Sequence, residues 1–496
     1  MRGGVVEEAD ENSVGERLPA AVAESHTAVL LFTGDRAYKV KKPVDFGFLD
    51  FSTTGARERA CRREVDLNRR LAPDVYLDVA QALDGHGRTC DWIVVMRRIP
   101  AERRLSTVVR QRGAPLAELE RIARVLASFH STARTGADVA AAGRAPALRG
   151  RWSDNVAGVE PFVGDVLDSE EFEEITRLAL EYVDGRAPLL DERARRGCVV
   201  DGHGDLVADD IFCLDDGPRL LDCLEFDDEL RHVDGLDDAA FLAMDLERLG
   251  AVDLGRRFLR WYREFSGAEA ADSLAHHYLA YRAFVRAKVA CLRHAQGAAG
   301  AADEARLLAD MTRAHLRAGQ VRLVLVGGLP GTGKSTVSGS LADRLGAVLL
   351  STDRVRRELA AGRDEPAHAG YGRGLYAAEH VHGTYSELLA RARTLLEHGE
   401  SVVLDASWSK ADERARARHL AQLARCASVE LRCTAAGYVT AGRIADRTGD
   451  LSDATPDIAA RMAADFAEWP EAQNVDTSGS PQEAIAAARR AFTEPG

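Results

Sequence analysis

The sequence predicts two domains in tandem, an α+β domain followed by an α/β domain built on a parallel sheet, and three observations predict it. At 496 residues the chain exceeds what a single hydrophobic core usually organises. Short strand-like runs crowd residues 27–97, and helical periodicity takes over from about 105. From 320 onward, strands alternate with helices, beginning with an apolar run that ends in a Gly-rich turn.

Composition narrows the class. With 46% hydrophobic and 29% charged residues, the chain reads as soluble and globular. No apolar run approaches the roughly 20 residues that span a bilayer, and the acidic lead-in, 1–24, lacks the basic and apolar regions of a signal peptide. A cytoplasmic location is expected, with no membrane partner. The eight cysteines are scattered without a Cys-x-x-Cys pair, so neither a zinc site nor a redox motif is expected. A net charge of −13 and a pI near 5.6 argue against a broad nucleic-acid surface.

In the first domain, 27–40 reads as two strands around the turn Thr33-Gly34-Asp35-Arg36, with Lys39 in the second strand. An aromatic loop (Phe46, Phe48, Phe51) leads to a helix over 56–71 that carries Glu64 and stops before Pro73. Two more strands are expected over 75–82 and 91–97. Helices follow at 116–134 and 169–184, a β insertion at 198–226, and further helices to 316. The expected domain limits are 25–300 and 320–496, with 301–319 as a linker.

Within the insertion, His203-Gly-Asp205, then Asp210, then a hairpin turn at 215–218 and a strand ending in Asp222 follow the spacing His-x-Asp-x-x-x-x-Asn, hairpin, Asp of a kinase catalytic loop. Phosphoryl transfer needs such a set because it is mainly positioning and charge neutralisation. One carboxylate takes the hydroxyl proton, and further oxygens hold Mg2+ against the phosphates. By position Asp205 is the base, and Asp210 and Asp222 are the metal ligands.

Residues 25–300 resemble the aminoglycoside phosphotransferase-like kinases of the protein-kinase-like fold. The resemblance implies a bilobal α+β domain with ATP between a β-rich and a helical lobe. It matches Lys39 to the phosphate-contacting lysine and Glu64 to that lysine's helix partner, although Lys41 shares the strand face. Asp210 replaces the usual Asn, and no Gly-x-Gly-x-x-Gly loop precedes Lys39. His130, the His276-His277 pair, Glu225, Asp227 and Asp228 read as core or solvated residues.

The second domain opens on 321–345, where a β-branched strand runs into Gly328-Leu-Pro-Gly331-Thr332-Gly333-Lys334-Ser335-Thr336 and then a helix, the context of a Walker A phosphate loop. The glycines permit a tight turn whose N–H groups converge on phosphates, and the helix start adds its dipole. Lys334 is placed to reach the β- and γ-phosphates, and the Ser335 hydroxyl to ligate Mg2+. Further strands end at Thr352-Asp353 and at Asp405, with another over 428–433, so the candidate residues gather at the C-terminal edge of a parallel sheet.

Residues 320–490 resemble the small P-loop kinases of the polynucleotide kinase, gluconate kinase and zeta-toxin group. The resemblance maps a base and a substrate-positioning arginine onto Asp353 and Arg356, and a Walker B-like metal-holding acid onto Asp405. Arg443 and Arg447, four apart on one helical face, match lid arginines that contact the nucleotide phosphates. Asp353 as a helix cap, and Arg443 and Arg447 as solvated charges beside Asp450 and Asp453, stay open. So does Trp408, as substrate contact or packing residue.

The expected function is a bifunctional ATP-dependent phosphotransferase using Mg2+, each half phosphorylating a hydroxyl of a small molecule. The alternatives are one P-loop kinase with a regulatory first domain, or a nucleic-acid end kinase. Acceptor identity and oligomeric state are not written in the motifs.

Overall fold

A computed structural model of the chain describes residues 21–25, 27–45, 50–360, 378–445 and 456–492. Backbone proximity divides the chain into two compact units. The first comprises Met1–Ile175, Asp191–Ala270 and Ala275–His315; the second comprises Thr176–Leu190, Ala271–Leu274 and Leu316–Gly496. Within the second unit, the buried Arg186 donates to the Ala424 carbonyl and Ser273 Oγ donates to the Gly399 carbonyl at 2.7 Å.

The first unit opens with β1 (Ala21–Glu24), β2 (Ala28–Thr33) and β3 (Arg36–Lys41), followed by α1 (Thr54–Asn68), β4 (Tyr76–Leu83) and β5 (Thr89–Arg97). The five strands form one antiparallel sheet in the order β1-β2-β3-β5-β4. The end of the acidic lead-in is therefore a strand: Val22 pairs opposite Leu31 and completes the β2 edge. Residues 1–20 lie outside the described residues, as do Phe46 and Phe48.

Helix α1 starts where Thr53 Oγ1 accepts the Ala56 N–H at 3.2 Å. It buries Arg57, Cys61, Glu64, Val65 and Asn68, a stripe at three- and four-residue spacing. Cys61 and Val65 pack on Ala37, Val94 and Met96 of the sheet. In β3 alternate residues share a face, so Ala37, Lys39 and Lys41 all point toward α1. Packing thus carries Glu64 to the two lysines.

The chain continues through α2 (Leu105–Arg112), α3 (Leu116–Thr132), α4 (Ala137–Ala142), α5 (Ala145–Val159), α6 (Ser169–Gly185) and α7 (Ala187–Arg195). Strand β6 (Val199–Asp201) pairs with β9 (His232–Asp234), and between them β7 (Ile211–Leu214) and β8 (Gly217–Leu220) make a hairpin. Helices α8 (Gly235–Arg248), α9 (Val252–Ser266), α10 (Asp272–Ala295) and α11 (Ala301–Ala318) follow. The stretch expected as a linker, 301–319, is thus helical, because Ala301, Ala305, Leu308, Ala309 and Thr312 recur at helical spacing and are buried. Helix α8 is buried on every side from Gly235 to Leu246, yet carries Asp237, Asp238 and Asp245.

The second unit contains β10 (Arg322–Gly327), α12 (Lys334–Leu345), β11 (Val348–Ser351), α13 (Thr352–Ala360), α14 (Ala378–Glu397) and β12 (Val402–Asp405). It ends with α15 (Ala411–Leu423), β13 (Ala427–Thr434), α16 (Gly437–Ala445), α17 (Pro456–Ala464), β14 (Gln473–Asp476) and α18 (Pro481–Arg490). The sheet is wholly parallel, ordered β11-β12-β10-β13-β14, as strand–helix alternation requires. Val324, Val326, Val403 and Leu431 are fully buried; each contributes roughly 1.5–3 kcal/mol on leaving water. Strand β14 is unannounced by its composition, since Val475 is its one buried apolar residue; pairing with β13 makes it a strand. Among the described residues, no helix is long and apolar enough to cross a membrane.

Candidate active sites

In the first unit, Lys39 Nζ stands 2.7 Å from Glu64 Oε1 and 2.8 Å from Asp222 Oδ1. Lys41 Nζ stands 2.8 Å from Glu64 Oε2 and 2.8 Å from Glu225 Oε1. Burial pushes the Glu64 carboxyl up in pKa, but the two ammonium groups more than offset this and hold it below its usual range. Glu225, which the sequence pattern suggested was a solvated acid, is instead the second partner of Lys41. The nearby Asp228 also lies within an ion-pair network, 2.7 Å from Arg63 and 2.8 Å from Arg231.

Asp222 adopts a left-handed backbone, φ 64°, which a non-glycine residue holds only when its surroundings impose it. Two bonds do so here. The Asp222 N–H donates to the Tyr76 hydroxyl at 3.2 Å and the Cys223 N–H donates to Asn68 Oδ1 at 2.9 Å. The Leu221 N–H donates to the Asp210 carbonyl at 2.9 Å, bringing the buried Asp210 beside the Asp222 turn.

The loop bearing Asp205 hangs on α8. Asp238 accepts the His203 N–H at 2.6 Å, the Gly204 N–H at 2.9 Å and His130 Nε2 at 3.0 Å. Burial alone would raise the Asp238 pKa. The hydrogen bond and charge of His130, with the hydrogen bond from the His203 N–H, overcome burial and hold it well below the carboxylate range. Arg282, paired bidentately with Asp237 at 2.7 and 2.9 Å, donates to the Gly204 carbonyl at 3.2 Å. Burial lowers the His203 pKa, so the ring stays neutral; its Nε2 faces the Leu221 carbonyl at 3.0 Å and must carry the proton there. Asp205 itself is half-buried. His130, His203 and Asp238 thus tie together the loop of Asp205 and the strand leading to Asp222. The signal for Asp237 and Asp238 was two adjacent carboxylates ahead of the apolar run Ala239–Met244 of α8.

In the second unit, Gly328, Gly331 and Gly333 all have positive φ: 136°, 81° and 74°. A Cβ on Gly328 would collide with the Cys433 carbonyl, and one on Gly331 would lie 2.8 Å from the Thr440 carbonyl. Glycine therefore lets the loop lie against β13 and α16. The Gly328 N–H donates to the Ser407 carbonyl at 3.1 Å, and Thr332 Oγ1 turns back to the Leu329 carbonyl at 2.7 Å. Gly333 precedes α12, so Lys334, Ser335 and Thr336 form its first turn, the last two exposed. Lys334 Nζ donates to the Leu329 carbonyl at 3.2 Å.

Asp405 is aligned with Val326 in the parallel register, at the strand end beside this loop. Burial raises its pKa; the Lys334 charge and the Ser335 hydroxyl act against this, while the Asp353 charge adds to it. A buried carboxylate beside an exposed serine hydroxyl fits a divalent cation, whose charge would keep the acid ionised. Asp353 is the second residue of α13 and pairs with Arg356 at 2.8 Å. Arg443 reaches out from α16, donating to the Thr477 carbonyl at 2.7 Å and the Gly331 carbonyl at 3.5 Å. Arg447, Asp450 and Asp453 lie outside the described residues. Trp408 is a packing residue: it is fully buried, edge-on to Tyr385, with φ 52°.

Fold and sites together define a protein of two units, an α+β unit with a lysine–glutamate–aspartate cluster and a parallel-sheet α/β unit with a glycine-rich phosphate loop. The chain belongs to the family of an uncharacterised protein of Mycobacterium tuberculosis, to which it is 46% identical over 470 residues, 94% of this chain and 93% of that protein. A family model described as an AAA domain matches residues 323–469. Among solved structures, the GDP and kanamycin complex of APH(2")-IIia aligns with a TM-score of 0.40 and 17% identity, covering 63% of this chain and 94% of that one. The Mycobacterium tuberculosis APS kinase in complex with AMPPNP and APS aligns with a TM-score of 0.26 and 19% identity, covering 35% and 99%.

Proposed function

We propose that the chain is an ATP-dependent phosphotransferase with two sites, each moving the γ-phosphoryl group of ATP to a hydroxyl of a small molecule. The observation that carries this reading is the juxtaposition of Lys334, Ser335 and Asp405 around a loop of positive-φ glycines. The Lys39–Glu64–Asp222 cluster supports a second site of the same chemistry. At the first site, Asp205 takes the proton of the acceptor hydroxyl as its oxygen attacks phosphorus and the bond to the β-phosphate oxygen breaks, ADP carrying away the charge. At the second, Asp353 takes that proton, Arg356 orients the acceptor, and Lys334 with Arg443 neutralises the phosphates. Arg447 would join Arg443 there. Mg2+, when bound by Asp210 and Asp222 or by Ser335 and Asp405, would supply further neutralisation of the phosphates. The acidic net charge of −13 supports small acceptors over nucleic acid.

The test is incubation of γ-labelled ATP and Mg2+ with a cell-metabolite extract, using the intact chain, Lys334→Ala and Asp205→Ala. Two labelled products are expected, each lost in one variant. Loss of every product in Lys334→Ala alone makes the first unit regulatory, as the extra charge of Asp210 would favour; no product from the intact chain overturns the reading.

Asp405→Asn separates stability from function. A carboxyl whose folded pKa is raised carries no penalty below its unfolded value of about 3.9. The penalty grows as pH rises from the unfolded value toward the raised folded value and is complete above it. At pH 7.5 the Asn variant is therefore expected to melt higher, by about 1 kcal/mol, which corresponds to roughly 2–4 °C in a unit of this size. Mg2+-dependent nucleotide binding should fall. Calorimetry and an Mg2+ titration check both, and a lower melting temperature would contradict the assignment of a buried, penalised charge.

A further inference from the structure

Lys41 has no task in the chemistry above, yet it is the most enclosed lysine of the first site. Its side chain is 2% exposed, and its Nζ lies 4.8 Å from the centroid of the Phe51 ring. So buried an ammonium cannot reach a nucleotide. Both its ion partners already belong to the site: Glu64 also binds Lys39, and Glu225 lies three residues beyond Asp222.

Glu64 is wholly shielded from water, so each of its oxygens needs a lasting partner. Lys39 divides its charge between Glu64 and Asp222. On the reading proposed above, on which this inference rests, a nucleotide draws Lys39 toward the phosphates and takes Asp222 for its metal. Lys41 then remains as the counter-ion of Glu64. Through Glu225 it also ties the segment after Asp222 to the inward face of α1. Two other ties join α1 to that segment: the Cys223 N–H donates to Asn68 Oδ1 at 2.9 Å and fixes the backbone beside Asp222, whereas the ionic tie of Arg63 to Asp228 has both side chains about half exposed, 43% and 56%, and is screened by water.

We infer that Lys41 is a positioning residue: a fixed cation that holds Glu64 for Lys39 and, through Glu225, holds the left-handed turn that aims Asp222 at the metal. Lys39 alone of the two lysines touches phosphate.

The experiment uses the full chain carrying Lys334→Ala, so that the P-loop site is silent, and titrates a non-hydrolysable ATP analogue with and without Mg2+ by calorimetry. Lys39→Met should abolish binding. Lys41→Met should keep binding but raise the Mg2+ concentration required by about 10- to 100-fold, the usual effect of removing a group that orients a metal ligand. Glu225→Gln leaves Glu64 paired with both lysines; it should raise the Mg2+ requirement and leave Mg2+-free binding unchanged. An unchanged Mg2+ requirement in both Lys41→Met and Glu225→Gln overturns the inference while the nucleotide site stands. So does a Lys41→Met loss as complete as that of Lys39→Met, since Lys41 would then touch phosphate. No analogue binding to the Lys334→Ala chain removes the first nucleotide site itself, and the inference with it.

Discussion

Lys334→Ala is expected to lower phosphoryl transfer at the P-loop site by about 10²–10³-fold, the usual cost of removing one fixed charge aimed at a developing anion. The fold should not notice. Lys334 is half-exposed at the first position of α12, and its Nζ donates to the Leu329 carbonyl at a modest 3.2 Å. The loop conformation is set elsewhere, by the three positive-φ glycines, the Gly328 N–H on the Ser407 carbonyl and the Thr477 hydroxyl on the Thr332 carbonyl. Thermal unfolding within about 1 °C of the intact chain, alongside lost single-turnover product, is the predicted pair of results; a solvent-side lysine without the chemistry costs less than about 0.5 kcal/mol. Unchanged turnover would remove Lys334 from the reaction.

Asp238→Ala should do the opposite and break the fold of the first unit. Three donors converge on this carboxylate from the His203 N–H, the Gly204 N–H and His130 Nε2, at a site with no access to water. Truncation leaves them buried and unpaired at a cost of about 3–5 kcal/mol, or roughly 6–20 °C in melting temperature. Asn is not a rescue, because its NH2 group faces another donor where the carboxylate offers an acceptor. The pH dependence has a definite sign. A carboxyl held below its unfolded pKa contributes fully above about pH 4 and loses that contribution as pH falls further toward its folded value. Intact protein should therefore lose stability in acid more steeply than the Asn variant, and unfolding curves from pH 6 to 3 measure the difference. A melting temperature of Asp238→Ala near that of the intact chain would show that water or another side chain replaces the carboxylate.

The two sites differ in how far they were legible beforehand. The phosphate loop is nine consecutive residues, and its turn depends on backbone angles that glycine alone supplies cheaply, so composition and order announce it. The Asp353–Arg356 pair is three residues apart on one helix and equally local. In the first unit, Asp205, Asp210 and Asp222 follow a spacing, but the pairing of Lys39 with Asp222 spans 183 positions. The link between Lys41 and Glu225 spans 184, and that between His130 and Asp238 spans 108. No local pattern states which carboxylate answers which cation, and Glu225 accordingly read as a solvated acid. Strand β14 shows the same limit, since its pairing with β13, not its residues, makes it a strand.

Local order decides what depends on neighbouring dihedral angles and repeating faces: the succession of an α+β and an α/β domain, the glycine turn before α12, the inward stripe of α1. Only three-dimensional packing decides charge compensation. A buried Glu64 or Asp238 is tolerable solely where distant segments deliver cations and N–H groups within about 3 Å, and that delivery exists only once the sheet and helices have closed around it.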